Sequence, residues 1–113
     1  MPDTCLFCRI AAREIPAAIV AETDDALAFR DINPAAPVHV LVIPKNHVDS
    51  LAIAANDGEL GRLMSLAARV AEREGIADSG YRTVINTREN GGQTVEHLHL
   101  HVLGGRRMTW PPG

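Results

Sequence analysis

Residues 38–45 are β-branched and almost continuously apolar, and His39 alone interrupts the run. That pattern predicts a central strand. Residues 18–22 and 26–30 alternate more weakly around Thr23–Asp24–Asp25, which reads as a hairpin. Residues 5–13 place Leu6, Phe7, Ile10 and Ala11 near one stripe, a short helix closed by Pro16. Residues 56–74 carry Leu60, Leu63, Met64, Ala67, Val70 and Ala71 at i, i+3, i+4, i+7 spacing, with Arg62, Arg69 and Arg73 facing away. Asn56 with Glu59 caps that helix and Gly75 stops it. Residues 81–87 form another strand, feeding a glycine-rich turn and a last strand over residues 96–103. The sum is about five strands and two helices. It is an α+β fold, an antiparallel sheet covered on one face by the long helix.

Composition narrows the class of protein. A chain of 113 residues, 46% apolar and 22% charged, is expected to be a single domain spanning 1–113. Its net charge of −3, with both signs interspersed, argues against broad nucleic-acid binding but leaves room for a single nucleotide. No apolar run approaches the ~20 residues of a membrane span. The polar start, with charges at Asp3 and Arg9, does not read as a signal peptide, so a cytoplasmic setting is expected.

Three of the five histidines stand at alternate positions, His97, His99 and His101. On an extended strand they share one face, about 6.6 Å apart, while Leu98, Leu100 and Val102 share the other. A solvated edge strand is the plainest explanation of a lone histidine but a poor one for three in alternation. Neutral imidazoles so arranged can bind a metal. They can also act as a nucleophile with flanking groups that orient it and stabilise charge. Gly91–Gly92–Gln93–Thr94 enters this strand with small residues, an amide and a hydroxyl, and successive N–H groups in such a turn can cradle a phosphate. A histidine array beside an anion-binding turn points to phosphorus chemistry.

His97–Leu98–His99–Leu100–His101–Val102–Leu103 resembles the signature of the histidine triad superfamily. Residues 86–113, with the glycine turn and the ending Trp110–Pro111–Pro112–Gly113, are similar to its histidine triad nucleotide-binding branch. So are Phe29–Arg30–Asp31–Ile32–Asn33–Pro34 and residues 37–45. The resemblance implies a nucleotide-binding hydrolase that cleaves the P–N bond of purine nucleoside 5′-phosphoramidates, AMP or GMP derivatives, through a nucleotidyl-histidine. It assigns His99 as nucleophile, with His101 and His39 on the phosphate oxygens and Thr94 or Gln93 near the leaving group. Many relatives have serine where this chain has Thr94. Asp31 is implied to accept the ribose hydroxyls. Leu6, Phe7, Ile10, Ile15, Phe29 and Ile32 are candidates for the base pocket, and each is equally explicable as core. Asn86 and Gly92 complete the nucleotide-binding set. His101 is not glutamine, as it is in the nucleotidyl-transferase branch, which favours hydrolysis. A dinucleoside polyphosphate hydrolase is the alternative within the family. A binding module with little turnover, or a zinc hydrolase using the triad as ligands, are alternatives outside it.

Cys5 and Cys8 have the spacing of half a tetrahedral metal site, and two ordinary reduced thiols are the simpler reading. Some bacterial relatives with this Cys-x-x-Cys hold a structural zinc. The resemblance then implies His47 and His97, the histidines without a catalytic part, as the other ligands. No cofactor is implied for catalysis. The resemblance further implies a homodimer whose sheets join edge to edge through the long helix and a central strand, the C-terminal tail shaping the partner's site.

Overall fold

The computed structural model describes residues 4–53 and 56–113. Five antiparallel strands form one sheet in the order β1-β2-β3-β5-β4. They are β1 (Ile19–Glu22), β2 (Ala26–Arg30), β3 (Val38–Pro44), β4 (Tyr81–Val84) and β5 (Leu100–Gly104). Helix α1 (Leu6–Ala11) precedes the sheet, α2 (Asp57–Arg73) crosses between β3 and β4, and the single turn α3 (Arg88–Gly91) lies between β4 and β5. The α+β antiparallel sheet is as expected. The third helical turn was not, because a four-residue element carries no periodicity to read.

Both sheet faces are covered, where the sequence suggested one. On one face Ala26, Ala28, Val40, Val42, Leu98, Leu100 and Val102 pack against Leu63, Leu66, Ala67, Val70 and Ala71 of α2. On the other, Leu27, Phe29, Leu41 and Ile43 pack against Phe7 and Ile10 of α1. This two-sided burial explains the unbroken apolar run of β3. Each fully buried Leu, Val or Phe contributes about 1.5–3 kcal/mol. Within α2 the buried stripe takes Leu66, and Met64 remains 47% exposed, so the helix is rotated slightly from the expected face. The Asn56 side chain accepts from the Glu59 N–H at 2.8 Å, the cap read from the sequence.

The triad strand begins later than its pattern suggests. The β3–β5 register pairs Val42 with Leu100, so the next partners would place Leu98 opposite Pro44. Proline has no N–H to donate, and the ladder stops there. The chain turns aside: Leu98 N–H donates to Val48 O at 2.6 Å, and the His97 side chain takes over the Pro44 carbonyl. The period-two alternation survives this departure. Leu98, Leu100 and Val102 lie in the core under α2, and the three histidines lie on the α1 face. Among the described residues no helix is long and apolar enough to cross a membrane.

Candidate functional site

The histidines divide into two groups. On the α1 face, His39 of β3 and His101 of β5 are diagonal neighbours across the ladder, since His39 pairs with Leu103 and Leu41 with His101. Their rings are 5.1 Å apart, and His39 Nε2 lies 2.8 Å from His101 Nδ1. His99 stands 5.0 Å from His101, ring to ring. His99 and His101 line a cleft of about 340 Å³, the size of a small-ligand pocket, and His39 stands behind His101 without lining it. Its apolar wall is Leu6, Phe7, Ile10, Ile15, Phe29 and Leu41, and Asp31, Thr94, His99 and His101 supply polar groups.

Hydrogen-bond partners fix each tautomer, because a neutral imidazole has one N–H and one lone pair. The Ala35 N–H donates to His39 Nδ1 at 3.0 Å, so the His39 proton is on Nε2. That N–H donates to His101 Nδ1, which leaves the His101 proton on its own Nε2. This last atom is shielded from solvent and has no partner among the described residues. His99 is the reverse case. Its Nδ1–H donates to the His97 carbonyl at 2.7 Å, so its lone pair is on Nε2. The cleft therefore combines a nucleophilic nitrogen with a neighbouring N–H donor. Burial pushes the His101 pKa down to about 4, helped by His99 and His39, and burial also lowers that of His39 against the pull of Asp31. His101 therefore meets a ligand as a neutral donor, and His39 stays neutral behind it.

Asp31 closes the turn after β2. One oxygen accepts the Asn33 N–H at 2.8 Å, and the other lies 3.5 Å from His39 Nε2. Phe7, Phe29 and Ile10 are buried, whereas Ile32 is 91% exposed at the rim. Thr94 borders the cleft. The rest of the glycine turn does not meet expectation. Gly92 N–H and Gln93 N–H are bonded to Glu89 O and Arg88 O, so neither is free to cradle a phosphate. The Gln93 amide is spent on Asp49 O, Val95 O and the Arg88 N–H. Gly92 and Gln93 face a separate polar cleft of about 460 Å³ with Asp49, Arg88, Glu89 and Glu96, which meets the histidine cleft at Thr94. Asn86, past the end of β4, lines neither.

The second group is Cys5, Cys8, His47 and His97, whose donor atoms all lie within 4.8 Å of one another. Cys5 Sγ is the N-cap of α1, and Cys8 is in its first turn. Cys5 Sγ and Cys8 Sγ are 3.3 and 3.5 Å from His97 Nδ1, and Cys8 Sγ is 3.2 Å from His47 Nδ1. With Zn–S near 2.3 Å and Zn–N near 2.0–2.1 Å, a tetrahedral edge between S and N is about 3.6 Å. The tautomers also suit a metal. His97 Nε2–H donates to Pro44 O at 2.8 Å, and His47 Nε2–H donates to Asp49 Oδ1 at 2.6 Å. Each ring presents a bare Nδ1 to the sulfurs, with its other nitrogen anchored as ligating histidines are. Burial, reinforced by Cys5, pushes the Cys8 thiol up to about 11, so a cation there would displace its proton. Two thiols, two lone pairs and tetrahedral spacing fit Zn²⁺ in a closed structural site. Asp49, Ala35 and Pro44 had no sequence signal, since two of them act through backbone atoms.

Known proteins are similar to this chain in sequence and fold. The HIT domain model matches residues 12–108. An uncharacterised HIT-like protein of Synechococcus elongatus is 53% identical, with both chains covered in full. The purine nucleoside phosphoramidase of Escherichia coli K12 is 46% identical, covering 96% of this chain and 92% of that one. The crystal structure of a HIT family hydrolase from Legionella pneumophila superposes with a TM-score of 0.95 at 49% identity, over 97% of this chain and 100% of that one. The chain belongs to the histidine triad (HIT) family.

Proposed function

We propose that this protein is a hydrolase of purine nucleoside 5′-phosphoramidates that works through a covalent nucleotidyl-His99. The observation that carries the reading is the His99 tautomer, which leaves the Nε2 lone pair beside the His101 N–H at the cleft. The name of the Escherichia coli relative supports the choice of substrate. The base sits against Phe7, Phe29 and Ile10, and Asp31 accepts the ribose hydroxyls. His99 Nε2 attacks phosphorus and the P–N bond breaks. The amine departs with a proton drawn from solvent through the Thr94 hydroxyl, which borders the cleft, and the water of the second step returns that proton. His101 Nε2–H donates to a phosphoryl oxygen and gains strength as negative charge develops there. The His39 Nε2–H, by donating to His101 Nδ1, keeps the His101 proton on Nε2. Water then attacks phosphorus, releases the nucleoside monophosphate and frees His99. Splitting one displacement into two lowers each barrier. The test is single-turnover labelling with a phosphorus-radiolabelled adenosine phosphoramidate. An acid-labile adduct on His99 is expected, and turnover without any adduct would contradict the mechanism.

Zinc held by Cys5, Cys8, His47 and His97 supports the fold in this reading, tying α1 to the sheet. A closed four-ligand site has no open position for substrate. Elemental analysis of protein purified without chelator should find zinc near one per chain.

The same reading has one HIT domain per chain and two chains per molecule. β4 is an unpaired edge of the sheet, and Trp110 is 80% exposed beside it, its ring 6.0 Å from the Arg82 guanidinium. Edge pairing would remove the aggregation hazard of β4. Sedimentation showing only a monomer at micromolar concentration would contradict the dimer.

A further inference from the structure

We propose that His97 is a positioning residue that makes turnover at His99 depend on occupancy of the Cys5–Cys8–His47–His97 cluster. The inference rests on the readings of His99 as nucleophile and of zinc as occupant.

His97 belongs to both groups of histidines. Its fully buried ring turns Nδ1 to the two sulfurs, while its carbonyl accepts the Nδ1–H of His99. That carbonyl belongs to the peptide joining His97 to Leu98. The other end of the same peptide, the Leu98 N–H, donates to the carbonyl of Val48, the residue after His47. Two ligands of the cluster, His47 and His97, thus flank the two segments that clamp this peptide. Neither segment is in the β ladder, because the ladder has ended at Pro44 and Leu100. A cation bridging the two rings holds the segments together and so holds the carbonyl at His99. Without it, the segments are joined by thiol–imidazole contacts, the Leu98–Val48 bond, the His97–Pro44 bond and the Gln93 amide on Asp49 O.

A second connection runs through α1. Phe7 lies in the helix whose N-cap is Cys5, and its ring meets His97 at 5.9 Å and His99 at 5.2 Å, edge on in both cases. The cluster that anchors α1 thereby also sets one wall against the nucleophile.

The chemistry at stake is the tautomer. An imidazole in water exchanges freely between its two neutral forms. Only the form with the proton on Nδ1 has its lone pair on Nε2, where it can attack. Loss of the carbonyl's direction lets His99 spend time in the inactive form. Outer-shell partners that orient a metal's ligands are typically worth 10–100-fold in affinity or activity, and the His97 carbonyl orients His99 in the same manner.

The test compares zinc-loaded wild type with the same protein stripped by chelator, at a temperature where circular dichroism shows both folded. Two quantities are read: steady-state kcat and KM on an adenosine phosphoramidate, and the ring ¹⁵N shifts of His99 without substrate. Stripping is expected to lower kcat about tenfold and change KM less than about threefold, and to move the His99 shifts toward mixed tautomers. Added zinc should restore both in wild type and neither in Cys5→Ser/Cys8→Ser. If the stripped protein unfolds, His47→Gln supplies the same comparison, since it weakens the metal without touching the cleft. Unchanged kcat and shifts would overturn the proposal. So would a fall in kcat with His99 still wholly in the Nδ1–H form, which is what a purely structural metal gives, and so would failure to bind zinc at all. Absence of phosphoramidate turnover in loaded protein bears only on the proposed substrate, because the His99 shifts are read without one.

Discussion

The two histidine groups lie side by side on one sheet face and differ in which nitrogen the protein has used up. In the cluster, Nε2 of His47 and of His97 is given to Asp49 and Pro44, and two bare Nδ1 atoms converge on sulfur. In the other group, at and behind the cleft, it is Nδ1 that is engaged on all three rings, by Ala35 N–H at His39, by His39 at His101 and by the His97 carbonyl at His99. The first arrangement closes around a cation. The second leaves Nε2 atoms for a ligand, a donor on His101 and a lone pair on His99. One residue type thus serves two chemistries, and a few hydrogen bonds, most of them to backbone atoms, assign them.

The comparison can be broken from either side. The largest effect is expected at its most exposed point. His99→Ala should lose turnover by about four orders of magnitude while still binding AMP, as titration calorimetry would register. Retention of wild-type kcat would remove His99 from the mechanism. Next comes His101→Ala, which deletes the donor and leaves His39 Nε2–H without its acceptor. A loss of about 10²–10³ in kcat is expected from stopped-flow assays, as for other preorganised donors. On the cluster side, Asp49→Asn keeps the size of the group that holds His47 but removes its charge. Zinc affinity, measured by competition with a chromophoric chelator, should fall about 10–100-fold.

The smallest effect concerns pH. An imidazole in the unfolded chain titrates near 6.5, whereas His101 is held at about 4 and His39 is also lowered. As pH falls through that window the unfolded chain takes up protons that the folded chain refuses. The stability these two histidines contribute is therefore constant above about pH 6.5 and is lost between there and about pH 4. Urea unfolding across the window would follow it. His101→Gln should lessen the slope, and an equally steep slope in that variant would place the effect elsewhere.

Much of the fold was legible because burial leaves a periodic trace. β2 has the expected bounds, and the His39 interruption in β3 does point at the triad. The Cys-x-x-Cys and the two remaining histidines do meet. What was not legible depended on single backbone groups. Pro44 shortens β5 by withholding one N–H, which no alternation pattern records. The glycine turn looked like an anion cradle, yet Gly92 and Gln93 spend their N–H groups closing α3. Of the turn, only Thr94 borders the histidine cleft. Met64 and Leu66 exchange places on α2 because a helical stripe is wide enough to tolerate either rotation. The tautomers were out of reach for the same reason, being set by the main chain of Ala35, Pro44 and His97.

The most direct test is the ring ¹⁵N spectrum of the zinc-loaded protein near pH 8. The hydrogen bonds predict that, of the five histidines, His99 alone has its proton on Nδ1, with His39 and His101 protonated on Nε2 and His47 and His97 protonated there and bound to metal through Nδ1. A spectrum in which His99 is protonated on Nε2, or in which it shares its form with His39 and His101, would contradict the division on which the mechanism stands.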